Sequence, residues 1–307
     1  MALSRELGHV GHVFLWAVAL AGALLFATAD WRSHAQLPIP RTEVAAATVG
    51  REIAVVGGYL GNGSSTNQVD FYAPATNRWR RGPNLPAQVN HAAATTSRGR
   101  LYVLGGYGAE KRGFELTGSR WRRLTLPASR AAAGAVAIRG TIYLVGGVGA
   151  GGLARTMLAY DTKRRRWHAR QGPTPREHLA VATARGRVYA IAGRTSGLDT
   201  NLELVESWAP GELRWRRETP VPEARGGTGA AAVGRAIVSV GGEAPGGTIR
   251  AVFAYDVVRR AWRRLENLPT PRHGVGVAAF GGSVYVIGGG PEPGLFVSSA
   301  NESLRVG

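Results

Sequence analysis

The stretch TIYLVGG, Thr141 to Gly147, decides the fold because close variants of it recur along the chain. It reads as a short β-strand of alternating pattern that stops at two glycines, where the chain can turn sharply. The variants are RLYVLGG at 100–106, RVYAIAG at 187–193 and SVYVIGG at 283–289.

A glycine pair, or once Ala-Gly, ends such a strand in six units of the chain. Successive second glycines lie 48, 41, 46, 49 and 47 residues apart. A period of this length indicates a repeat architecture. The pairs are Gly57-Gly58, Gly105-Gly106, Gly146-Gly147, Ala192-Gly193, Gly241-Gly242 and Gly288-Gly289.

Each unit adds aromatic residues at a fixed spacing. In five units an aromatic residue stands seven positions before a tryptophan, and the pairs are Tyr72 and Trp79, Phe114 and Trp121, Tyr160 and Trp167, Trp208 and Trp215, and Tyr255 and Trp262. This pattern of strand, glycines, aromatic residue and tryptophan resembles the Kelch repeat, from about Trp31 to the C-terminus.

The resemblance implies an all-β fold, a six-bladed Kelch β-propeller of the galactose oxidase/Kelch-like superfamily and of the exported bacterial type. In this fold each blade is a four-stranded antiparallel sheet, with strands A to D running from the central axis outward. The aromatic residues of strands C and D would fill the space between neighbouring blades.

The two ends of the chain complement each other. Trp31 lies 27 residues before Gly58, which is the spacing of a strand D tryptophan, but no blade precedes it. The last unit has only 18 residues after Gly289 and no tryptophan. We therefore predict that the sixth blade is closed by the N-terminal strand, with residues 31–36 pairing with residues 301–306.

The N-terminal segment precedes the first repeat. Residues 13–26 are apolar and uncharged, and Ala27-Thr28-Ala29 has the form of a signal-peptide cleavage site. We predict an export signal over residues 1–29 and a propeller over residues 30–307, which makes the protein exported: periplasmic, secreted or at the cell surface. The alternative is an uncleaved membrane anchor over residues 10–29.

The composition excludes several kinds of site. The chain has no cysteine, so it can form no disulfide, thiolate metal site or cysteine nucleophile. The resemblance also includes copper radical oxidases of the galactose oxidase type, but these need a cysteine, so their activity is excluded. The seven histidines are scattered in sequence, and we expect no metal and no cofactor.

The chain is strongly basic, with 38 Lys+Arg against 20 Asp+Glu, a net charge of +18. This excess reflects either an arginine-rich composition or an affinity for anions. The WRR segments on the predicted outer strands read as a solvated rim that prevents edge-to-edge aggregation, or else as a belt that attracts an anionic cell wall or membrane surface. Nucleic acid is not an expected partner.

Five of the six corners between strand D and strand A carry an arginine nine or ten residues after the tryptophan, and the corner after Trp79 has Val89 instead. The resemblance places this position close to a ligand-binding face. The predicted ligand-binding residues are Arg41, Arg130, Arg176, His178, Arg225, Arg272 and His273. The alternative is structural, because a guanidinium can donate to carbonyl groups of the neighbouring blade. Secondary candidates are His91, Tyr59, Tyr107, Arg194 and Glu243.

Two functions follow from these residues. The first is an interaction module whose loop face binds an anionic ligand, either an acidic glycan or an acidic protein segment. The second is a carbohydrate-active enzyme of the sialate mutarotase (N-acetylneuraminate epimerase) type, a family of similar propellers. Glu177 is then the acid/base candidate, and no other catalytic residue is assigned.

Overall fold

Six four-stranded antiparallel sheets follow one another along the chain. The computed structural model describes residues 30–307, so the predicted export signal or anchor lies outside the described residues. Each sheet is hydrogen-bonded in the order A to D that the repeat implies. The predicted all-β, six-bladed propeller is confirmed.

The strands are numbered β1 to β28 in chain order, and blades 1 to 3 lie before residue 172. Blade 1 contains β2 (Ala45–Val49), β3 (Glu52–Val56), β4 (Val69–Ala73) and β5 (Arg78–Arg81). Blade 2 contains β6 (Ala93–Ser97), β7 (Arg100–Leu104), β8 (Arg112–Thr117) and β9 (Arg120–Thr125). Blade 3 contains β10 (Gly134–Ile138), β11 (Thr141–Val145), β14 (Thr156–Asp161) and β15 (Arg166–Gln171).

Blades 4 to 6 complete the ring. Blade 4 contains β16 (Ala180–Ala184), β17 (Arg187–Ile191), β18 (Val205–Trp208) and β19 (Arg216–Arg217). Blade 5 contains β20 (Gly229–Val233), β21 (Ala236–Val240), β24 (Val252–Asp256) and β25 (Ala261–Leu265). Blade 6 contains β26 (Gly276–Phe280), β27 (Ser283–Ile287), β28 (Asn301–Arg305) and β1 (Trp31–Ser33).

Loops between strands B and C hold the remaining short elements. Two of these loops form small hairpins, β12 (Val148–Gly149) with β13 (Gly152–Leu153) and β22 (Glu243–Ala244) with β23 (Gly247–Thr248). A third contains a three-residue 3₁₀ turn, Leu198–Thr200. Within residues 30–307 no helix reaches the length and apolarity that crossing a membrane requires.

The N-terminal strand closes the sixth blade as predicted. Strand β1 pairs antiparallel with β28, with Trp31 opposite Leu304 and Ser33 opposite Glu302. The regular strand ends at Ser33, three residues earlier than predicted. Beyond it, the Leu37 amide still donates to the Ser299 carbonyl oxygen at 2.8 Å, so the pairing of the two chain ends continues irregularly.

The core lies between the blades. Each of the six blade interfaces contains its own apolar cluster, including the interface that joins blade 6 to blade 1. The strand D tryptophans attach their blade to the preceding one: the Trp121 indole donates to the Pro83 carbonyl at 2.8 Å, and the Trp31 indole to the Glu266 carbonyl at 3.2 Å. Trp31 therefore behaves as a blade tryptophan.

Strand A of every blade borders the central channel, which has a volume of about 360 Å³. The channel has two mouths. The D–A and B–C loops surround one, which we call the loop-face mouth. The A–B and C–D turns surround the other, which we call the turn-face mouth. Both mouths are built from six equivalent positions, one in each blade.

Candidate functional site

The corner arginines are buried inside the blades. Arg176 is fully buried, and its Nη1 donates to Glu206 Oε2 at 2.5 Å. Its Nε and Nη2 donate to the carbonyl oxygens of Ala192 and Ala190 at 2.7 and 3.0 Å. Burial lowers the pKa of Arg176, and the Glu206 carboxylate works against that shift. The guanidinium thus connects strands B and C of the blade that it precedes.

The other four corner arginines make similar contacts within their own blades. Arg41 pairs with Asp70 at 2.5 Å, and Arg272 pairs with Glu302 at 2.8 Å. Arg225 and Arg130 donate to the carbonyl oxygens of Ala251 at 2.9 Å and Thr156 at 2.8 Å. These bonds account for an arginine at one phase of the repeat, while ligand contact by the five stays a prediction.

A ring of hydrogen-bonded backbone surrounds the loop-face mouth. The ring contains, from each blade, the residue two positions after the corner arginine or its equivalent. All six of these residues have a left-handed φ between 50 and 62°. In five of them the N–H donates to the carbonyl of the equivalent residue in the preceding blade, and the Val44 amide closes the circle by donating to the Gly274 carbonyl. Such a φ favours glycine, yet three positions carry large polar side chains. The ring residues are Glu43, His91, Ala132, His178, Gly227 and Gly274.

Three of these side chains come together at the mouth. His91 Nε2 lies 3.2 Å from Glu43 Oε2, and the rings of His91 and His178 meet edge to face with centroids 4.8 Å apart. All three side chains are about nine-tenths buried. One ligand atom from each lies within 4.8 Å of the other two.

Further ionisable groups connect these three side chains into a closed ring of ion pairs and side-chain contacts. Glu177 Oε1 lies 3.3 Å from both His178 Nδ1 and Arg194 Nε. Arg194 Nη1 pairs with Glu243 Oε1 at 2.8 Å. His273 Nδ1 lies 3.5 Å from Glu243 and 3.2 Å from Glu43, without the alignment of a hydrogen bond, so its attraction to them is electrostatic.

The groups of this network have pKa values that are shifted in different directions. Burial lowers the pKa of His91, while Glu43 and Glu177 partly oppose that effect. Burial by itself would raise the pKa of Glu43, but His91 and His273 hold it well below its usual range. Burial also opposes a charge on His273, yet Glu43 and Glu243 raise its pKa. At this mouth burial thus opposes charge on the imidazoles and carboxylates, and the neighbouring groups of opposite charge favour it.

The turn-face mouth has the opposite charge. Five of the six A–B turns carry an exposed arginine. Arg235 Nε pairs with Asp256 Oδ2 at 3.0 Å. The Arg98 guanidinium lies against Gly140 in the A–B turn of the next blade. The arginines of this set, which we call the turn-face arginines, are Arg51, Arg98, Arg139, Arg185 and Arg235.

Comparison with known families agrees with this architecture. Residues 43–220 match the model of the KLHDC2/KLHL20/DRC7 Kelch-repeats domain. The chain belongs to the Kelch-repeat family. The match covers more than half of the chain, and the six-fold repetition of sheet and corner extends the same architecture to the rest.

Relatives of this Kelch propeller occur in distant organisms. Kelch-like protein terF of Aspergillus terreus is 31% identical over 249 residues, which is 71% of this chain and 54% of terF. Kelch repeat protein M-T8 of Myxoma virus is 34% identical over 76 residues, 25% of this chain and 15% of M-T8. Kelch-like protein 38 of Rattus norvegicus is 35% identical over 96 residues, 30% of this chain and 16% of that protein.

These alignments also limit which properties of the relatives can be assigned to this chain. The chain spans about half the length of terF and less of the other two relatives. The three come from a fungus, a virus and a mammal, so the exported bacterial type stays a prediction. What the Kelch propeller binds is argued below from its own residues.

The propeller brings only part of the predicted set to one place. Among the predicted residues, His178, His273 and Glu177 reach the loop-face mouth, whereas the five arginines lie in separate blades. The secondary candidates His91, Arg194 and Glu243 lie at the same mouth. Sequence reasoning missed Glu43, although it occupies the same phase as His91 and His178. It also missed the turn-face arginines, which stand one or two residues before strand B in five units.

Proposed function

We propose that this Kelch propeller is an interaction module that binds an acidic segment of a partner protein at its turn-face mouth. The observation that carries the proposal is the set of five exposed turn-face arginines around one end of the channel. The guanidinium group of arginine can bind a carboxylate through two hydrogen bonds. Several positive charges close together also attract an acidic segment over a distance.

The loop-face mouth is less suited to an anion. The corner arginines that were predicted to hold an anionic ligand there are buried and engaged within their blades. Glu43, Glu177 and Glu243 line the mouth instead. A carboxylated sugar would meet these carboxylates, which supports neither an acidic glycan at this mouth nor a sialate mutarotase reaction with Glu177.

A binding experiment tests the proposal with a synthetic peptide of twelve residues rich in glutamate, and a glutamine-rich peptide of equal length as the neutral comparison. We expect the acidic peptide to bind the full chain and to be released by salt. The triple variant Arg98→Glu, Arg139→Glu and Arg185→Glu should weaken binding roughly tenfold or more, which corresponds to about 1.4 kcal/mol.

A matched variant separates the mouth from the net charge. Arg123→Glu, Arg170→Glu and Arg217→Glu change three exposed arginines on the outer strands by the same total charge. We expect this rim variant to retain most of the affinity. Equal losses in the two triple variants would show that net charge alone attracts the peptide. Tighter binding of an acidic oligogalacturonate than of the peptide would overturn the choice of a protein partner.

A further inference from the structure

The loop-face mouth collects two imidazoles and one carboxylate from three different blades. Glu43, His91 and His178 each place a ligand atom within 4.8 Å of the other two. Around a tetrahedral ion with bonds of about 2.1 Å, ligand atoms lie about 3.4 Å apart. The 3.2 Å between His91 Nε2 and Glu43 Oε2 is already near that separation.

The tautomer of His91 leaves a lone pair directed at the carboxylate. His91 Nδ1 lies 2.5 Å from the Asn90 side-chain oxygen, which can only accept, so Nδ1 carries the hydrogen. The Asn90 amide nitrogen donates to Ser65 Oγ at 2.7 Å, which orients the amide. In the neutral imidazole, His91 Nε2 then carries the lone pair, and this nitrogen faces Glu43. Two acceptor atoms at this distance are stable only with a cation or a proton between them.

The second imidazole provides an independent observation. The His178 side chain is 8% exposed, and its Nδ1 has no hydrogen-bond partner. Glu177 Oε1 lies 3.3 Å from this nitrogen without the alignment of a hydrogen bond, at a place from which a carboxylate can back the imidazole of a metal-bound histidine. His273 lies beside the other oxygen of Glu43 at 3.2 Å, which leaves Oε2 directed at His91.

We propose that Glu43, His91 and His178 bind one divalent first-row transition-metal ion of the zinc type at the loop-face mouth. Imidazole nitrogen with a single carboxylate suits such ions, whereas Ca²⁺ and Mg²⁺ require sets of oxygen ligands. Three protein ligands leave one position open. The site is independent of the acidic partner proposed for the opposite mouth.

The neighbouring ring positions leave space for a fourth ligand. Ala132, Gly227 and Gly274 occupy the equivalent positions in the other three blades and carry no bulky side chain. Together with the three proposed ligands they line a recess of about 120 Å³. A water molecule or a side chain of a docked protein fits this open position.

The test is metal binding by the full chain after dialysis against EDTA. Zn²⁺ is titrated by calorimetry, and Co²⁺ is titrated by visible absorption, which reports a tetrahedral site. We expect one ion per chain, no competition by Ca²⁺, and a higher melting temperature with Zn²⁺. His91→Ala, His178→Ala and Glu43→Gln should each weaken binding about 100-fold or more.

The control is His168→Ala, which removes an exposed histidine on β15 and should leave the affinity unchanged. Glu43→Gln keeps the shape of the side chain, so it decides the outcome even where a histidine variant folds poorly. Two results would overturn the proposal. The first is an affinity of the chain for Zn²⁺ no higher than that of a single exposed histidine. The second is an affinity for Zn²⁺ that persists in His91→Ala and His178→Ala. The cluster would then be an imidazolium–carboxylate network that holds a proton in place of an ion.

Discussion

At the scale of single residues, the corner arginine and its acidic partner need each other, because both charges are buried. Arg176 has no exposed surface, and it links two strands of blade 4 through its ion pair with Glu206 and its hydrogen bond to the Ala190 carbonyl. A buried ion pair adds little stability compared with an apolar pair, but removing one partner leaves the other charge buried and unpaired. The cost of such a substitution therefore measures the structural role of the arginine.

We expect Arg176→Ala to lower the free energy of unfolding by about 3 to 5 kcal/mol, because Glu206 loses its counter-charge inside the blade. Unfolding in urea measures the loss. Arg170→Ala is the control, since Arg170 is exposed on strand D of blade 3 and should change stability by less than about 0.5 kcal/mol. Equal effects of the two substitutions would contradict the structural role.

Tyr255 provides a second residue-scale prediction, on pH. Burial, together with the hydrogen bond that its hydroxyl donates to Glu218 at 2.9 Å, raises the pKa of Tyr255 from 10.0 to about 12. The folded state holds this proton more tightly than the unfolded state, so the contribution is complete below pH 10 and is lost as the pH rises to about 12.

The comparison with Tyr255→Phe isolates this contribution. We expect the stability advantage of the unaltered protein over the variant, measured by urea unfolding, to be constant from pH 8 to 10 and to shrink between pH 10 and 12. Titrating groups that do not contact Tyr255 behave alike in both proteins and cancel in the difference. An advantage that stayed constant up to pH 12 would show that this phenol does not titrate with a raised pKa.

At the scale of elements, the short strand β1 has the largest effect. Strand β1 has three residues, yet it completes blade 6 and places the Trp31 indole against blade 5. Without it, β28 becomes the unpaired outer edge of blade 6. A strand of this length contributes through its position in the ring more than through its own contacts.

We expect deletion of residues 31–33 from the full chain to replace one cooperative thermal transition by a broad or divided one at lower temperature. Calorimetry measures this. The control is Trp121→Ala, which removes an equivalent half-buried indole from blade 2 without opening the ring. It should cost about 3 kcal/mol and preserve a single transition. A single transition in the deletion variant would mean that β1 does not close the ring.

At the scale of the whole molecule, the fold could be predicted because its signal is periodic. Glycine pairs, tryptophans and the mismatch at the two chain ends predict the number of blades and the closure. The side-chain directions could not be obtained in this way. Arg176 and Arg51 are both repeated arginines next to an apolar strand, but one is fully buried and the other is exposed.

The candidate sites were less accessible to sequence reasoning because each one combines residues from several blades. Glu43, His91 and His178 are far apart in the chain and occupy one position of the repeat, so only an alignment of the repeats with one another would have grouped them. The same alignment would have found the turn-face arginines. The propeller thus has a carboxylate-lined mouth and an arginine-lined mouth, a polarity that the total charge of +18 conceals.

The closure strand also sets the order in which this molecule can be completed during synthesis. Trp31 leaves the ribosome roughly 270 residues before its partner Leu304, an interval of about 15 to 55 seconds at ordinary translation rates. Throughout that time the nascent chain is an open arc of blades, and its first strand has no place to pair. Among the strands of residues 30–307, the first to be made is the last to be placed, and a chaperone or protease acting on this chain meets the open arc.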